Sequence, residues 1–190
     1  MRIDELTVGM VQTRCYILGA ENNPECIVID PGAEAARIRK AVGDRRIIAV
    51  LLTHGHFDHI GAVRDLVNPE INEGPKIFIH PLDAPMLRDP VLNASIGLLG
   101  RALTAPEVTD TVKEGSALEL AGLKINVLHT PGHTPGSVCY LIENELFTGD
   151  TLFDFGWGRT DLPGGSEEQM AASLRRLMPL SKQYRIHAGH

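Results

Sequence analysis

Three histidines and one aspartate lie within residues 53–59, which read Thr-His-Gly-His-Phe-Asp-His. Neutral imidazole and carboxylate oxygen are ligands that zinc and similar divalent ions take in proteins. The segment directly follows residues 47–52, an apolar and largely β-branched run that is typical of a buried strand. A loop at the end of a rigid strand is a common place for a functional site. The pattern therefore predicts a metal site, rather than a polar loop whose histidines only cap the following helix.

Three later segments repeat this arrangement of a possible ligand in a turn after a strand-like run. His133 lies in residues 129–136 (His-Thr-Pro-Gly-His-Thr-Pro-Gly), Asp150 follows Phe-Thr-Gly, and His190 ends the chain after Ala-Gly. Glycine lacks the Cβ that would block close backbone approach or strained dihedral angles. We therefore expect these side chains to point into one cavity together with the histidines of residues 53–59.

Composition excludes several classes of function. The chain has 190 residues with 24 acidic and 18 basic side chains, a net charge of −6, and no basic cluster. We therefore expect one domain over residues 1–190 that binds neither nucleic acid nor membrane. The first residues lack signal-peptide architecture and no stretch has the length of a membrane span, so a cytoplasmic location is expected. The cysteines, which lie in separate apolar runs, predict buried free thiols rather than a catalytic thiol: Cys15, Cys26 and Cys139.

The hydrophobic periodicity predicts sheets inside and helices outside. Strands are expected at residues 3–8, 12–18, 26–29, 47–52, 76–80 and 184–187, with hairpins at 114–129 and 137–148. Helices are expected at 33–42, 60–67 and 167–177, the last one capped by Ser166 with Gln169 three residues on. Residues 81–106 predict a helix and a long loop that could lie over a site. This order of elements favours an α+β fold in layers.

These motifs together resemble the metallo-β-lactamase-fold hydrolase superfamily, specifically its small glyoxalase II-like (hydroxyacylglutathione hydrolase-like) members. The resemblance covers essentially the whole chain. It implies a four-layer αβ/βα sandwich, in which helices flank two mixed sheets and the site lies along one edge between them. The motifs that carry it are residues 29–32 (Ile-Asp-Pro-Gly), 53–59, 130–137, 148–151 and 158–165 (Gly-Arg-Thr-Asp-Leu-Pro-Gly-Gly).

The resemblance also implies a pair of divalent metal ions, with zinc expected first and iron or manganese as alternatives. The first ion would be held by His54, His56 and His133, the second by Asp58, His59 and His190, and Asp150 would bridge the two. A carboxylate between two cations lowers their mutual repulsion. Because histidine ligands are neutral, the ions stay electron-poor, so that a bridging water becomes hydroxide near neutral pH.

The expected activity is hydrolysis of S-2-hydroxyacyl glutathione or a related small thioester. The bridging hydroxide would attack the acyl carbonyl, one ion would polarise the carbonyl oxygen, and Asp58 would orient the nucleophile and handle its proton. Arg159 looks like the counterpart of a lysine that grips glutathione in larger glyoxalase II enzymes, and its guanidinium would suit a substrate carboxylate. The alternative for Arg159 is an internal ion pair with Asp161 or Asp154.

Several other residues have structural interpretations beside functional ones. His80 and His187 are expected to be structural histidines, and Thr53 and His129 to support the site. The aromatic residues after Asp150 could wall an apolar pocket or pack in the core: Phe153, Phe155 and Trp157.

Two departures from the family affect these expectations. We expect the chain to lack the glutathione-binding helical domain of full-length glyoxalase II, so glutathione specificity has little support. The family usually continues past its last Gly-His with a short tail, which we expect this chain to lack because it stops at His190. A ligand at a free C-terminus predicts a second metal that is weakly bound or partly occupied.

Three other functions stay open at this point. A persulfide dioxygenase would use one ferrous ion held by His54, His133 and Asp150, but it needs no ligand at the final Gly-His. Other hydrolases of the superfamily, such as lactonases and β-lactamases, share the same metal ligands. A non-catalytic protein with a structural metal is disfavoured because structural zinc sites are usually closed and cysteine-rich. The expected partner is a small-molecule thioester, and the expected oligomeric state is a monomer or weak homodimer.

Overall fold

Two β-sheets form the centre of the computed structural model, which describes residues 1–67 and 74–190. The first sheet contains, in spatial order, β1 (Arg2–Val8), β2 (Thr13–Gly19), β3 (Glu25–Ile29), β4 (Arg46–Leu51), β5 (Lys76–Ile79) and β6 (Asp110–Thr111). The second contains β7 (Ala117–Leu120), β8 (Leu123–His129), β9 (Val138–Ile142), β10 (Glu145–Gly149) and β11 (Arg185–Ala188), in the order β11-β10-β9-β8-β7. Both sheets are mixed, because β3 to β6 run parallel in the first and β11 runs parallel to β10 in the second.

Short helices connect and cover these strands. They are α1 (Ala35–Val42), α2 (Phe57–Ile60), α3 (Val63–Leu66), α4 (Ser95–Leu99) and α5 (Glu167–Leu177), with single 3₁₀ turns at Ala84–Leu87 and Leu180–Lys182. The predicted cap of α5 is confirmed, since the Ser166 side chain accepts a hydrogen bond from the backbone N–H of Gln169.

The single helix predicted at residues 60–67 is wrong. The chain forms α2 and α3 instead, and α2 begins inside the histidine motif. The backbone N–H of Ala62 donates to the carbonyl of Pro31 at 2.9 Å, so it does not extend the ladder of α2. A contact between distant parts of the chain thus overrides the local helical periodicity.

The inner strands bury both faces, which explains their nearly continuous apolar sequences. Along β3, Ile27 and Ile29 face the core between the two sheets, whereas Cys26 and Val28 face the outer layer beside α1. This alternation follows the two-residue period of a strand.

Helices close the two outer faces. Ile38 of α1 packs in the outer cluster of the first sheet, and Leu177 of α5 packs beside Cys139 and Leu146 of the second. The four layers confirm the predicted α+β sandwich, with two mixed sheets between helices. The cysteines are buried free thiols, as expected from the sequence: Cys15, Cys26 and Cys139. Within residues 1–67 and 74–190, no helix is long and apolar enough to cross a membrane.

The core between the sheets predicts a large stability cost for Phe147→Ala. Phe147 is fully buried and its ring lies 5.1 Å from that of Tyr16, in an edge-on arrangement. Removing a buried aromatic ring costs about 3–5 kcal/mol of unfolding free energy, measurable by urea denaturation. Phe155→Ala is the matched control, because Phe155 is 98% exposed and should change the stability by less than about 0.5 kcal/mol. Equal effects of the two substitutions would contradict this position of the core.

Candidate metal centre

The predicted ligands leave both sheets at one edge of the sandwich. The histidine motif follows β4, His133 follows β8, Asp150 follows β10, and His190 follows β11. Each side chain is thus positioned in a loop that directly follows a strand of one of the two sheets.

One group of side chains consists only of histidines. Ring nitrogens of His54, His56 and His133 all lie within 4.8 Å of one another, and these residues are buried. His56 Nδ1 lies 2.8 Å from His133 Nε2. The convergence of three ring nitrogens in a buried place is a geometry that suits a metal ion.

Hydrogen bonds orient two of these rings with a bare nitrogen toward the centre. His133 Nδ1 lies 2.7 Å from the carbonyl oxygen of Arg159, which can only accept, so this nitrogen carries the proton. The Thr53 hydroxyl donates to Asp30 Oδ2 at 2.6 Å, so it accepts from His54 Nδ1 at 3.1 Å. In both rings Nε2 therefore keeps its lone pair, which is the form that binds metal.

A second group adds carboxylates. Asp58 Oδ2 lies 3.6 Å from His59 Nε2 and 3.3 Å from His190 Nε2. Asp150 stands between the two groups, because Oδ1 lies 3.4 Å from His59 Nε2 and Oδ2 lies 3.4 Å from His133 Nε2. The structure thus brings all seven predicted ligands together and places Asp150 where a bridging ligand is needed.

The two groups differ in charge. Burial lowers the pKa of His54 and His133, and it lowers that of His56 to about 3, so the histidine-only group is neutral at pH 7. Burial also opposes the charge of His59, but three nearby carboxylates, Asp150 first, raise its pKa well above the usual value. For His190, hydrogen bonds to Asp150 and Asp58 outweigh burial and raise the pKa to about 9.

These charges provide one test of whether a divalent ion fits. The raised pKa values of His59 and His190 indicate that the carboxylates of this group favour positive charge beside them, which a divalent ion would also supply. Buried polar atoms without a hydrogen-bond partner provide a second test of whether a divalent ion fits. Within the described residues, the buried ligand-side atoms without a hydrogen-bond partner are His54 Nε2, His56 Nε2, His59 Nε2 and Asp150 Oδ1. Each unsatisfied buried group costs about 1–3 kcal/mol, and cations among these side chains would satisfy His54 Nε2, His59 Nε2 and Asp150 Oδ1. The cluster therefore suits a divalent metal.

Asp30 is a supporting residue whose role the sequence did not reveal. Its Oδ2 lies 2.9 Å from His59 Nδ1, and its Oδ1 accepts from the backbone N–H of Thr53 at 2.8 Å. Asp30 thereby fixes the ring of His59 and the start of the histidine loop. A signal was present, because an aspartate ends a strand-like run immediately before Pro31-Gly32.

Two more supporting residues had no visible signal in the sequence. The buried hydroxyl of Thr13 donates to Asp58 Oδ2 at 3.1 Å. Asp83 is fully buried and accepts hydrogen bonds from the Thr134 hydroxyl at 2.6 Å and from the backbone N–H groups of Gly136 and Gly55. It therefore ties the loop of His133 to the loop of His54 and His56. Burial raises the pKa of Asp83 to about 6, although these hydrogen bonds oppose the increase.

Close backbone approach is needed at Gly189. A side chain at this position would overlap Asp150 Oδ1 and the backbone of Gly149. The N–H of Gly189 donates to the Gly149 carbonyl at 2.8 Å, which brings the ends of β10 and β11 together. The glycine before the last histidine thus permits the close approach of two backbone segments that was predicted from the sequence.

Arg159 forms the ion pair that was one of its two interpretations. Its Nε and a terminal nitrogen each lie 2.6 Å from an Asp161 oxygen, whereas Asp154 pairs instead with Arg14 at 3.7 Å. Arg159 also lines a cavity of about 560 Å³ above the centre, so its position is compatible with contact to a ligand.

The other singled-out histidines lie outside the cluster. His80 stacks on His129 with ring centroids 4.2 Å apart, and His187 Nε2 lies 2.6 Å from Glu145. Both therefore have structural partners, as expected. Of the three aromatic residues after Asp150, only Phe153 lines the cavity, while Phe155 and Trp157 are exposed.

Comparison with known proteins agrees with this fold. The family model of the metallo-beta-lactamase superfamily matches residues 8–190. The chain is 36% identical to the hydroxyacylglutathione hydrolase GloC of Haemophilus influenzae, over 100% of the chain and 91% of that protein. It is 33% identical to the probable metallo-hydrolase YqgX of Bacillus subtilis, over 100% of the chain and 90% of that protein.

Two solved structures are also similar over nearly their whole length. The structure of BLEG-1, a B3 metallo-beta-lactamase, matches with a TM-score of 0.92 and 34% identity, over 100% of this chain and 91% of the other. A protein named TTHA1623, crystallised in a di-iron-bound form, matches with a TM-score of 0.83 and 34% identity, over 98% and 91% of the two chains.

The contact between Asp30 and His59 predicts a loss of metal affinity in Asp30→Asn. The substitution removes the charge that orients the His59 ring, and the loss of such a partner typically weakens metal binding about 10–100-fold. Competition with a chelating dye measures the affinity, and urea denaturation verifies the fold. Asp110→Asn is the control, because Asp110 pairs with Lys76 on the surface. Unchanged metal affinity in Asp30→Asn would refute this role of Asp30.

Proposed function

Because this chain belongs to the metallo-β-lactamase superfamily, we propose that it is a hydrolase that depends on two divalent metal ions and acts on S-2-hydroxyacyl glutathione or a related small thioester. The observation that carries the proposal is the convergence of seven histidine and aspartate side chains beneath one open cavity. The similarity to a hydroxyacylglutathione hydrolase over the full chain supports the thioester, and the similarity to a probable metallo-hydrolase supports hydrolysis.

In this proposal the two groups of ligands hold one ion each. His54, His56 and His133 would hold the first ion, Asp58, His59 and His190 would hold the second, and Asp150, which lies between the two groups, would contribute to both. Zinc is our first candidate because it accepts imidazole and carboxylate ligands, and the di-iron form of a similar protein supports iron as the alternative. When bound, the ions supply Lewis acidity toward a carbonyl oxygen and acidify water.

Asp58 is the proposed proton acceptor. Burial alone would raise the pKa of Asp58, but the charge of His59 and a hydrogen bond from His190 lower it to about 2. The side chain is therefore a carboxylate at neutral pH. The Thr13 hydroxyl and His190 Nε2 both lie against Oδ2, so the carboxylate has a fixed direction when it receives the proton of the attacking water.

Arg159 is the proposed contact for a substrate carboxylate. Its guanidinium is exposed at the cavity and its present partner is Asp161 on the same loop. A bidentate substrate carboxylate would compete with Asp161 for the same two N–H directions. Its backbone carbonyl meanwhile orients His133, so that one residue contacts both the centre and the substrate.

One observation favours this proposal over a persulfide dioxygenase, whereas the other hydrolases of the superfamily must be separated from it by assay. His190 lies against Asp58 and Asp150, and a persulfide dioxygenase with one ferrous ion needs no ligand there. A β-lactamase or lactonase would use the same ligands, and the similarity to BLEG-1 makes a β-lactam a necessary second substrate in any assay. The leaving thiolate of a thioester needs little acid assistance, which suits a cavity whose described lining offers no lysine.

The role of Asp58 predicts a large loss of turnover in Asp58→Asn. An amide cannot accept the proton, so we expect kcat on S-D-lactoylglutathione to fall by at least about 100-fold, measured by release of the free thiol. Metal content is determined in parallel, because Asp58 is also a proposed ligand. Asp154→Asn is the control, since Asp154 is exposed and lies outside the centre.

Several results would contradict the proposal. Full activity of Asp58→Asn with an unchanged metal content would remove Asp58 from the mechanism. Oxygen consumption with glutathione persulfide, combined with no thioester hydrolysis by the metal-loaded protein, would favour the dioxygenase. Hydrolysis of a β-lactam or a lactone but of no thioester would move the substrate to another class within the same fold.

A further inference from the structure

Large apolar side chains are exposed around the mouth of the cavity. Met10 is 82% exposed, Leu98 is 54% exposed and Val11 is 43% exposed, and all three line the cavity. The floor, by contrast, is polar and consists of proposed metal ligands, namely His56, Asp58, His133, Asp150 and His190. Exposed apolar side chains that gather beside polar groups in a concave site are typical of ligand binding.

The apolar side chains around the cavity mouth form a wall, and hydrogen bonds hold its first side, which consists of Met10 and Val11. Met10 and Val11 lie in the turn between β1 and β2, where the N–H of Gly9 donates to Glu34 Oε1 at 2.9 Å. At the other end of the turn, the carbonyl of Val11 lies 3.1 Å from His190 Nδ1 and accepts its proton. The turn therefore holds its apolar side chains at a constant position relative to the metal centre.

The opposite side is fixed by Asn93. The carbonyl of Asn93 accepts the N–H of Phe57 at 3.0 Å, which joins it to the histidine loop. Its buried amide nitrogen donates to the carbonyls of Met86 and Leu103, each at 2.9 Å. Helix α4 follows directly and places Leu98 and Leu99 at the cavity. This part of residues 81–106 lies over the site, as the sequence suggested.

The lining of this cavity carries little charge, although Glu34 and Arg101 line the adjacent pocket that shares Met10, Val11 and Leu99 with it. Among the residues that line the cavity, apart from the proposed metal ligands, the charged side chain is Arg159, which the proposed function assigns to a substrate carboxylate. The remaining side chains are apolar: Met10, Val11, Phe57, Ala94, Leu98, Leu99, Phe153 and Leu162. An occupant that reaches the polar floor with its reacting carbonyl must therefore lay an apolar part against this wall.

We propose that the wall formed by Met10, Val11, Leu98 and Leu99 is a binding site for an unbranched acyl chain, and that the preferred substrates are thioesters of apolar carboxylic acids of several carbons. This inference rests on the proposed function, because it assigns the acyl half of the thioester. Burial of the chain transfers methylene groups from water to an apolar surface and simultaneously covers the exposed side chains of the wall. A short hydroxyacyl group leaves most of the wall in contact with water.

The test is a series of glutathione thioesters with acetyl, butanoyl, hexanoyl and octanoyl groups, assayed with the metal-loaded protein beside S-D-lactoylglutathione. A fully buried methylene contributes up to about a fourfold gain, so we expect kcat/KM to rise at least about tenfold from acetyl to hexanoyl. Calorimetric titration with the product anions provides a readout without turnover, and octanoate should bind at least about tenfold more tightly than acetate.

Matched variants locate the effect. Leu98→Ser and Met10→Ser should reduce the ratio of kcat/KM between octanoyl and acetyl substrates, and they should weaken octanoate binding. Leu82→Ser and Met178→Ser are the controls, because these residues are 57% and 53% exposed and do not line this cavity. The controls should retain the wild-type ratio. Size-exclusion chromatography of all four variants shows whether any of them alters the oligomeric state.

Each outcome decides the proposal. A dependence on chain length that is lost in Leu98→Ser and Met10→Ser supports it. Hydrolysis of S-D-lactoylglutathione without any such dependence overturns it and leaves the proposed thioesterase intact. If no thioester is hydrolysed, the proposed function fails, and the relative affinities for octanoate and acetate decide whether the wall binds acyl chains. A change of oligomeric state in Met10→Ser or Leu98→Ser, with unchanged substrate preference, would identify an interface between copies and overturn the proposal.

Discussion

The structure depends on one electrostatic constraint: bare ring nitrogens and carboxylates are buried at the same place. A protein gains nothing in stability from His54 Nε2 and His56 Nε2 without hydrogen-bond partners, or from a buried Asp150 oxygen without a donor. The arrangement makes physical sense when cations complete it. The strand ends, the glycines and the supporting hydrogen bonds all serve to hold these groups together at the edge of the sandwich.

The support around this centre is distributed over the whole chain. Asp30 orients His59, Thr13 orients Asp58, and Asp83 joins the loops that carry the histidine-only group. Thr13 lies at the start of β2, far in sequence from Asp58, and the turn before it also supplies the apolar wall of the cavity. The same short segment therefore contacts Asp58 and also lines the cavity above the centre.

Much of the candidate centre was predictable from local patterns, because each segment that carries ligands follows a strand-like run and contains a glycine. The layers of the fold were predictable from similar local patterns, since nearly continuous apolar runs mark strands with two buried faces. The supporting residues were not predictable. Nothing near Asp83 in the sequence points to Thr134 or Gly136, and the break between α2 and α3 results from a bond to Pro31. The choice between Asp161 and Asp154 as partner of Arg159 likewise required coordinates, because Arg14 from a distant strand binds Asp154.

Anomalous diffraction from crystals soaked in zinc tests directly whether these seven side chains hold two metal ions. We expect two zinc peaks at the edge of the sandwich where the ligands meet. The first should lie within about 2.0–2.2 Å of nitrogens from His54, His56 and His133. The second should lie at the same distance from Asp58, His59 and His190. Asp150 should lie within reach of both peaks. Crystals with no peak at this edge, or with zinc bound only elsewhere, for example at the stacked pair of His80 and His129, would contradict it.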